Sequence, residues 1–141
     1  MEIKENIKKL VRKYYTRNPF ELAAALGIRI IFEELGSING YYNKQLRMKQ
    51  IHINCNLPEH MQEYTCAHEL GHATMHPNAN TPFLRNNTLL SVDKLEIEAN
   101  KFAVELLITD SDLKEYENYT IDQIAQIYGY HKKLIELRIR R

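Results

Sequence analysis

The sequence predicts an α+β fold in which a short antiparallel sheet of about three strands packs on helices, and three observations predict it. Apolar residues recur at helical spacing from Ile3 to Tyr14 and again between residues 93 and 107. Three short strand-like runs lie between residues 28 and 54, and the last third of the chain carries the capping signals of short helices. The 141 residues suit one domain, read as a core from about 18 to 108 followed by a helical part from about 109 to 141. A hydrophobic share of 44% beside 26% charged residues is ordinary for a globular chain, and a net charge of +1 supplies no global field to attract nucleic acid. No run approaches the ~18 apolar residues of a membrane span, and Met1-Glu2-Ile3-Lys4-Glu5 lacks the apolar core of a signal peptide, so a cytoplasmic location is expected. Cys55 and Cys66 have no CxxC spacing and are read as packing residues rather than a disulfide.

Taken in order, Ile3, Ile7, Leu10, Val11 and Tyr14 give a first amphipathic helix. Asn18-Pro19-Phe20-Glu21 supplies a cap, a proline and an acidic residue for a second helix, which Gly27 ends. Ile28 to Phe32 reads as a buried strand, and two more strands fit near 38–43 and 49–54 around an Asn43-Lys44-Gln45 turn. The third strand, if it forms a sheet edge, could hold an extended peptide by backbone pairing. Asn56-Leu57-Pro58-Glu59 opens a helix near residue 58, and Pro77 disfavours helix at His76, so it should run to about 75. The asparagine- and proline-rich stretch 77–91 reads as a loop between that helix and the next, which could border a cleft. Thr109-Asp110 can cap a short helix, Thr120-Ile121-Asp122-Gln123 is a capping box, Gly129 closes that helix, and residues 131–140 form the last one.

The long middle helix contains His68-Glu69-Leu70-Gly71-His72. Two histidines four apart project from one helix face, so both imidazoles can hold one metal ion while the adjacent Glu69 reaches a water on it. Two surface histidines would give the same pentad, but a catalytic zinc site requires a third protein ligand. Met75 and Asn78 exclude the continuation that would supply a third histidine. In the segment from Asp93 to Leu107, Lys94, Glu98, Lys101 and Glu105 alternate in sign at i, i+4, i+7 and i+11, which makes a solvated stripe. Val92, Leu95, Ala99, Phe102, Ala103 and Leu106 form the opposite, buried face. Glu96 lies at its margin, where a carboxylate is costly unless paired or bound to metal, and is therefore the expected third ligand. Asn100, one turn later, could accept a hydrogen bond from the non-ligating nitrogen of a zinc histidine, or be a polar residue at a helix margin. Tyr64, His52 and His76 are alternative donors to a developing oxyanion. The His2Glu set suits one Zn2+, and Mn2+ is also possible.

These segments resemble the ImmA/IrrE-type metallopeptidases of bacteria, mobile elements and phages. The resemblance rests on Asn18-Pro19-Phe20, Leu26-Gly27-Ile28, Ile38-Asn39-Gly40, Ile51-His52-Ile53-Asn54, Ala67 to His72, Glu96 with Ala99 and Phe102-Ala103, and Ile124-Ala125 before a final arginine-containing helix. It implies a small gluzincin-like fold with His68, His72 and Glu96 as ligands and Glu69 as base. The ImmA-like members it is most similar to are thought to cleave a helix-turn-helix repressor and derepress the genes of a mobile element or phage. That branch fits better than the longer IrrE-like one. A repressor is thus the expected partner, with no membrane and no direct nucleic-acid binding. The alternatives are a non-proteolytic, metal-containing antirepressor, or a DNA-binding regulator using the C-terminal helices with Arg138, Arg140 and Arg141.

Overall fold

Two helices, three strands and five further helices follow one another along residues 2–79 and 93–140, which the computed structural model describes. Helix α1 (Ile3–Tyr14) buries Ile7 and rests Ile3, Leu10, Val11 and Tyr14 on the core, along the apolar stripe of its sequence. In α2 (Pro19–Ala25) the Asn18 side chain accepts from the backbone N–H groups of Phe20 and Glu21 at 2.8 and 3.2 Å, and Pro19 occupies a position whose N–H would be unpaired anyway. Gly27, at φ 76°, then turns the chain into the sheet.

Strands β1 (Arg29–Glu33), β2 (Gly40–Gln45) and β3 (Met48–Asn54) lie in the order β1-β3-β2. The sheet is mixed rather than antiparallel: β2 and β3 form the expected antiparallel hairpin, but β1 pairs with β3 in parallel, Ile30 beside Ile51 and Phe32 beside Ile53. The chain leaves β1, passes β3's position and returns through the hairpin, which forces that polarity. Three other expectations are corrected. β3 is the central strand, with its backbone paired on both sides, so it cannot be the edge that receives a peptide. β1 is a terminal strand among the described residues rather than a buried one, and its Phe32 is 51% exposed. The hairpin turn is Leu46-Arg47, not Asn43-Lys44-Gln45, with φ of 49° and 70° at two residues that carry side chains. That conformation costs about 1 kcal/mol or more per residue, offset by the pairing of β2 with β3.

Tyr42, Ile51 and Ile53 line the inner sheet face and are fully buried. That face packs on α3 (Glu59–Met75), which in turn packs on α4 (Lys94–Leu107). Pro58 stands at the N-cap of α3 without a side-chain cap, while the Gln62 amide donates to the carbonyls of Leu57 and Cys55 at 3.0 and 3.3 Å. Asp93 caps α4 through the Leu95 N–H. The buried arc of α4 is rotated from the expected one: Glu96 and Asn100 lie inside it, with Val104, and Leu95 is 39% exposed. Most of the loop reading at 77–91, and Val92, fall outside the described residues.

Helices α5 (Asp110–Glu115) and α6 (Ile121–Tyr128) begin at full capping boxes, Thr109 with Asp112 and Thr120 with Gln123. Gly129, at φ 74°, ends α6, and α7 (Lys132–Ile139) follows. Arg138, a residue that sequence could assign to DNA contact, points inward and is 1% exposed. Its Nε donates to the Ile108 carbonyl at 2.7 Å, one terminal nitrogen donates to Asp110 at 2.8 Å, and the other lies 3.4 Å from Glu105. Removing it leaves the buried Ile108 carbonyl without its donor and Glu105 without its cation, whereas the exposed Asp110 keeps Lys4 at 2.9 Å. Arg138→Met should therefore cost about 2–3 kcal/mol, a fall in melting temperature of about 8 °C by calorimetry. Among the described residues no helix is long and apolar enough to cross a membrane.

Candidate metal centre

The pentad occupies the middle of α3, where His68, Glu69 and His72 are all buried, and the neighbouring α4 brings Glu96 opposite them at 1% exposure. The Nε2 of His68 lies 3.0 Å from Glu96 Oε1, and the Nε2 of His72 lies 2.8 Å from Glu96 Oε2. One ligand atom from each residue falls within 4.8 Å of the other two.

The His72 Nε2 and Glu96 Oε2 atoms face each other without hydrogen-bond alignment, so both are buried polar atoms with no hydrogen-bond partner. Such atoms are rare in a folded interior and indicate a further partner between them. Two imidazole nitrogens and one carboxylate oxygen are the donor set of a catalytic zinc site with one open position. The residues fit one Zn2+ ion. Charge distribution agrees: burial works to raise the Glu96 carboxyl, but the two imidazoles outweigh it and hold it at about 2, so the ligand is anionic at neutral pH. Burial works to lower the His68 imidazole, whereas Glu96, Glu69 and Asn100 together keep it above its ordinary value.

Gly71 sets how closely the two ligand helices approach. A Cβ on it would stand 3.0 Å from Phe102 Cβ and 3.3 Å from Ala99 Cα, both on α4. Because Gly71 lies between the two histidines, a side chain there would push α4 away and draw Glu96 out of reach. Gly71→Ala should cost about 1–2 kcal/mol despite alanine's better helix propensity, and should weaken zinc binding, read by melting and by chelator competition.

The polar surroundings are ordered. His68 Nδ1 donates to Asn100 Oδ1 at 2.8 Å, and the Tyr64 hydroxyl donates to the same oxygen. The Tyr64 ring is buried beside Tyr130 at 5.4 Å between centroids, and desolvation pushes its hydroxyl far above the usual range, so it stays a neutral donor to Asn100. His52 is not brought to the centre. It alternates with Ile51 and Ile53, so its side chain lies on the other face of the sheet, stacked on Tyr41 at 4.3 Å and bonded to Glu33. His76 does reach the centre, with Nδ1 3.1 Å from His72 Nδ1 and Nε2 2.8 Å from Glu98 Oε1. Glu98, read from its charge stripe as a solvated residue, thus belongs to the surroundings of the site. The available signal was the spacing of His72 and His76, one turn apart on one helix face.

The sequence profile of the family described as the IrrE N-terminal-like domain matches residues 23–140. The chain is 46% identical over 139 residues to the protein named Uncharacterized immunity region protein 2 of Bacillus phage phi105, covering 96% of this chain and 88% of that one. It is 35% identical over 133 residues to Metallopeptidase ImmA of Bacillus subtilis (strain 168), covering 90% and 78%.

Proposed function

This chain belongs to the family of the IrrE N-terminal-like domain and is a zinc-dependent endopeptidase, and we propose that its substrate is a helix-turn-helix repressor, cut to release the genes of a phage or mobile element. The observation that carries the reading is the buried triad of His68, His72 and Glu96 with Glu69 beside it, since a purely structural metal site needs no base. Likeness to a protein named for a phage immunity region supports a repressor as target.

A zinc ion held by His68, His72 and Glu96 would polarise the scissile carbonyl and make a water more acidic. Glu69, on the same turn as the first ligand, takes the proton from the attacking water and delivers it to the departing amide nitrogen. Asn100, fixed by Tyr64, holds the His68 proton on Nδ1 and so keeps Nε2 free to ligate. The substrate strand would pair with β2, a terminal strand among the described residues. β2 runs close beside the zinc helix and the residues that follow it. At Gly40 a Cβ would stand 2.6 Å from the Thr65 methyl, and the Tyr42 hydroxyl donates to the Pro77 carbonyl at 2.6 Å. Backbone pairing demands little of the substrate's sequence, so selectivity falls on exposure of an extended segment.

Incubation of the purified protein with the helix-turn-helix repressor encoded nearest its gene, with zinc and with chelator, should yield two complementary fragments by intact mass, only with metal. An uncut repressor that co-purifies with the zinc-loaded protein would instead identify displacement without cleavage.

A further inference from the structure

We propose that His76 and Glu98 form a positioning relay that fixes the tautomer and ring orientation of the metal ligand His72. The inference concerns the metal centre and is independent of which protein is cleaved.

His72 is fully buried, and its Nε2 faces Glu96 across the metal position. A neutral imidazole carries one proton, so an Nε2 that ligates leaves that proton on Nδ1. The Nδ1 of His72 meets the Nδ1 of His76 at 3.1 Å, which must then accept. His76 therefore carries its own proton on Nε2 and donates it to Glu98 Oε1 at 2.8 Å, where an ionised carboxylate can only accept. Each proton has one position that satisfies all three groups. If His76 took the other tautomer, two N–H groups would face each other at His72, and Glu98 prevents this by requiring a donor on Nε2.

The backbone holds the relay in place. His76 is the C-cap of α3 and its N–H bonds to the His72 carbonyl at 2.7 Å, so the two residues are tied through main chain and side chain alike. The two rings lie 5.3 Å apart between centroids. Glu98 stands on α4 two residues after Glu96, so one helix supplies both the third ligand and the outer end of the relay. The two histidine ligands are thus supported differently, His68 by a neutral amide and His72 by an imidazole backed by a carboxylate. The second arrangement makes the ligand nitrogen more electron-rich.

The test is zinc affinity of the full chain by chelator competition, with the tautomer of His72 read by long-range ¹H–¹⁵N spectra of the zinc-loaded protein. Glu98→Ala should raise the zinc Kd by about 10- to 100-fold and broaden the His72 Nδ1–H signal. Glu98→Gln, whose amide oxygen can still accept from His76, should recover most of that loss. His76→Ala should match Glu98→Ala. An unchanged zinc Kd in Glu98→Ala and His76→Ala would overturn the proposal. So would equal losses in Glu98→Gln and Glu98→Ala, or amide shifts spread through the core rather than confined to the contact of α3 with α4, since either marks a packing role.

Discussion

Glu69→Gln should retain one zinc per chain and the native fold while lowering peptide cleavage by roughly 10²- to 10⁴-fold, the usual contribution of a positioned general base. Glutamine preserves the volume and polarity of a side chain that is 5% exposed, so packing around α3 has no reason to change. The metal contacts come from His68, His72 and Glu96, and the substitution leaves them intact. What disappears is the capacity to accept a proton. Metal content by elemental analysis and fragment yield by intact mass separate the two effects. Wild-type cleavage by a zinc-loaded Glu69→Gln protein would remove Glu69 from the reaction.

Glu96→Ala should abolish stoichiometric zinc binding, and His68→Ala should do the same. Two histidines on one helix leave a site with two donors, whereas the buried carboxylate supplies the third contact and the negative charge that balances a divalent ion. The same change strips the imidazoles of the group that faces them at 2.8 and 3.0 Å. Comparison with Glu98→Ala is informative because the two glutamates are neighbours on α4. One variant should lose the metal, and the other should only bind it less tightly. A Glu96→Ala protein that keeps stoichiometric zinc would overturn the ligand assignment.

Local signals made much of this molecule legible in its sequence. The caps at Asn18, Thr109 and Thr120 act within a few residues of themselves, and the structure contains the helices they start. Glu96 was legible for a related reason: helical period separates it from Glu98, and an inward carboxylate needs a partner. Relations across the chain were not legible. Whether β1 runs parallel or antiparallel to β3 depends on the route between them, which leaves no local mark. The turn at Leu46-Arg47 has neither glycine nor asparagine, so pairing on both sides imposes a conformation its residues do not advertise. Tyr64, His52 and His76 looked alike as donors because their separation comes from other elements. Asn100 on α4 engages Tyr64, the pleat of β3 sends His52 to the far face, and Glu98 holds His76.

The anchoring of Arg138 gives α4 two jobs at its two ends. Near its start the helix presents Glu96 to the metal, and nine residues later, about 14 Å along the axis, Glu105 meets the guanidinium of the last helix. Ile108, just past its end, gives that guanidinium its carbonyl, and Arg17 donates to the carbonyls of Glu105 and Leu106. A helix transmits axial and tilting displacements with little internal give, so it works as a lever whose far arm is gripped by the tail. Loosening that grip by Arg138→Met should therefore also speed the loss of zinc to a chelator, a change read at the end of the helix remote from the substitution.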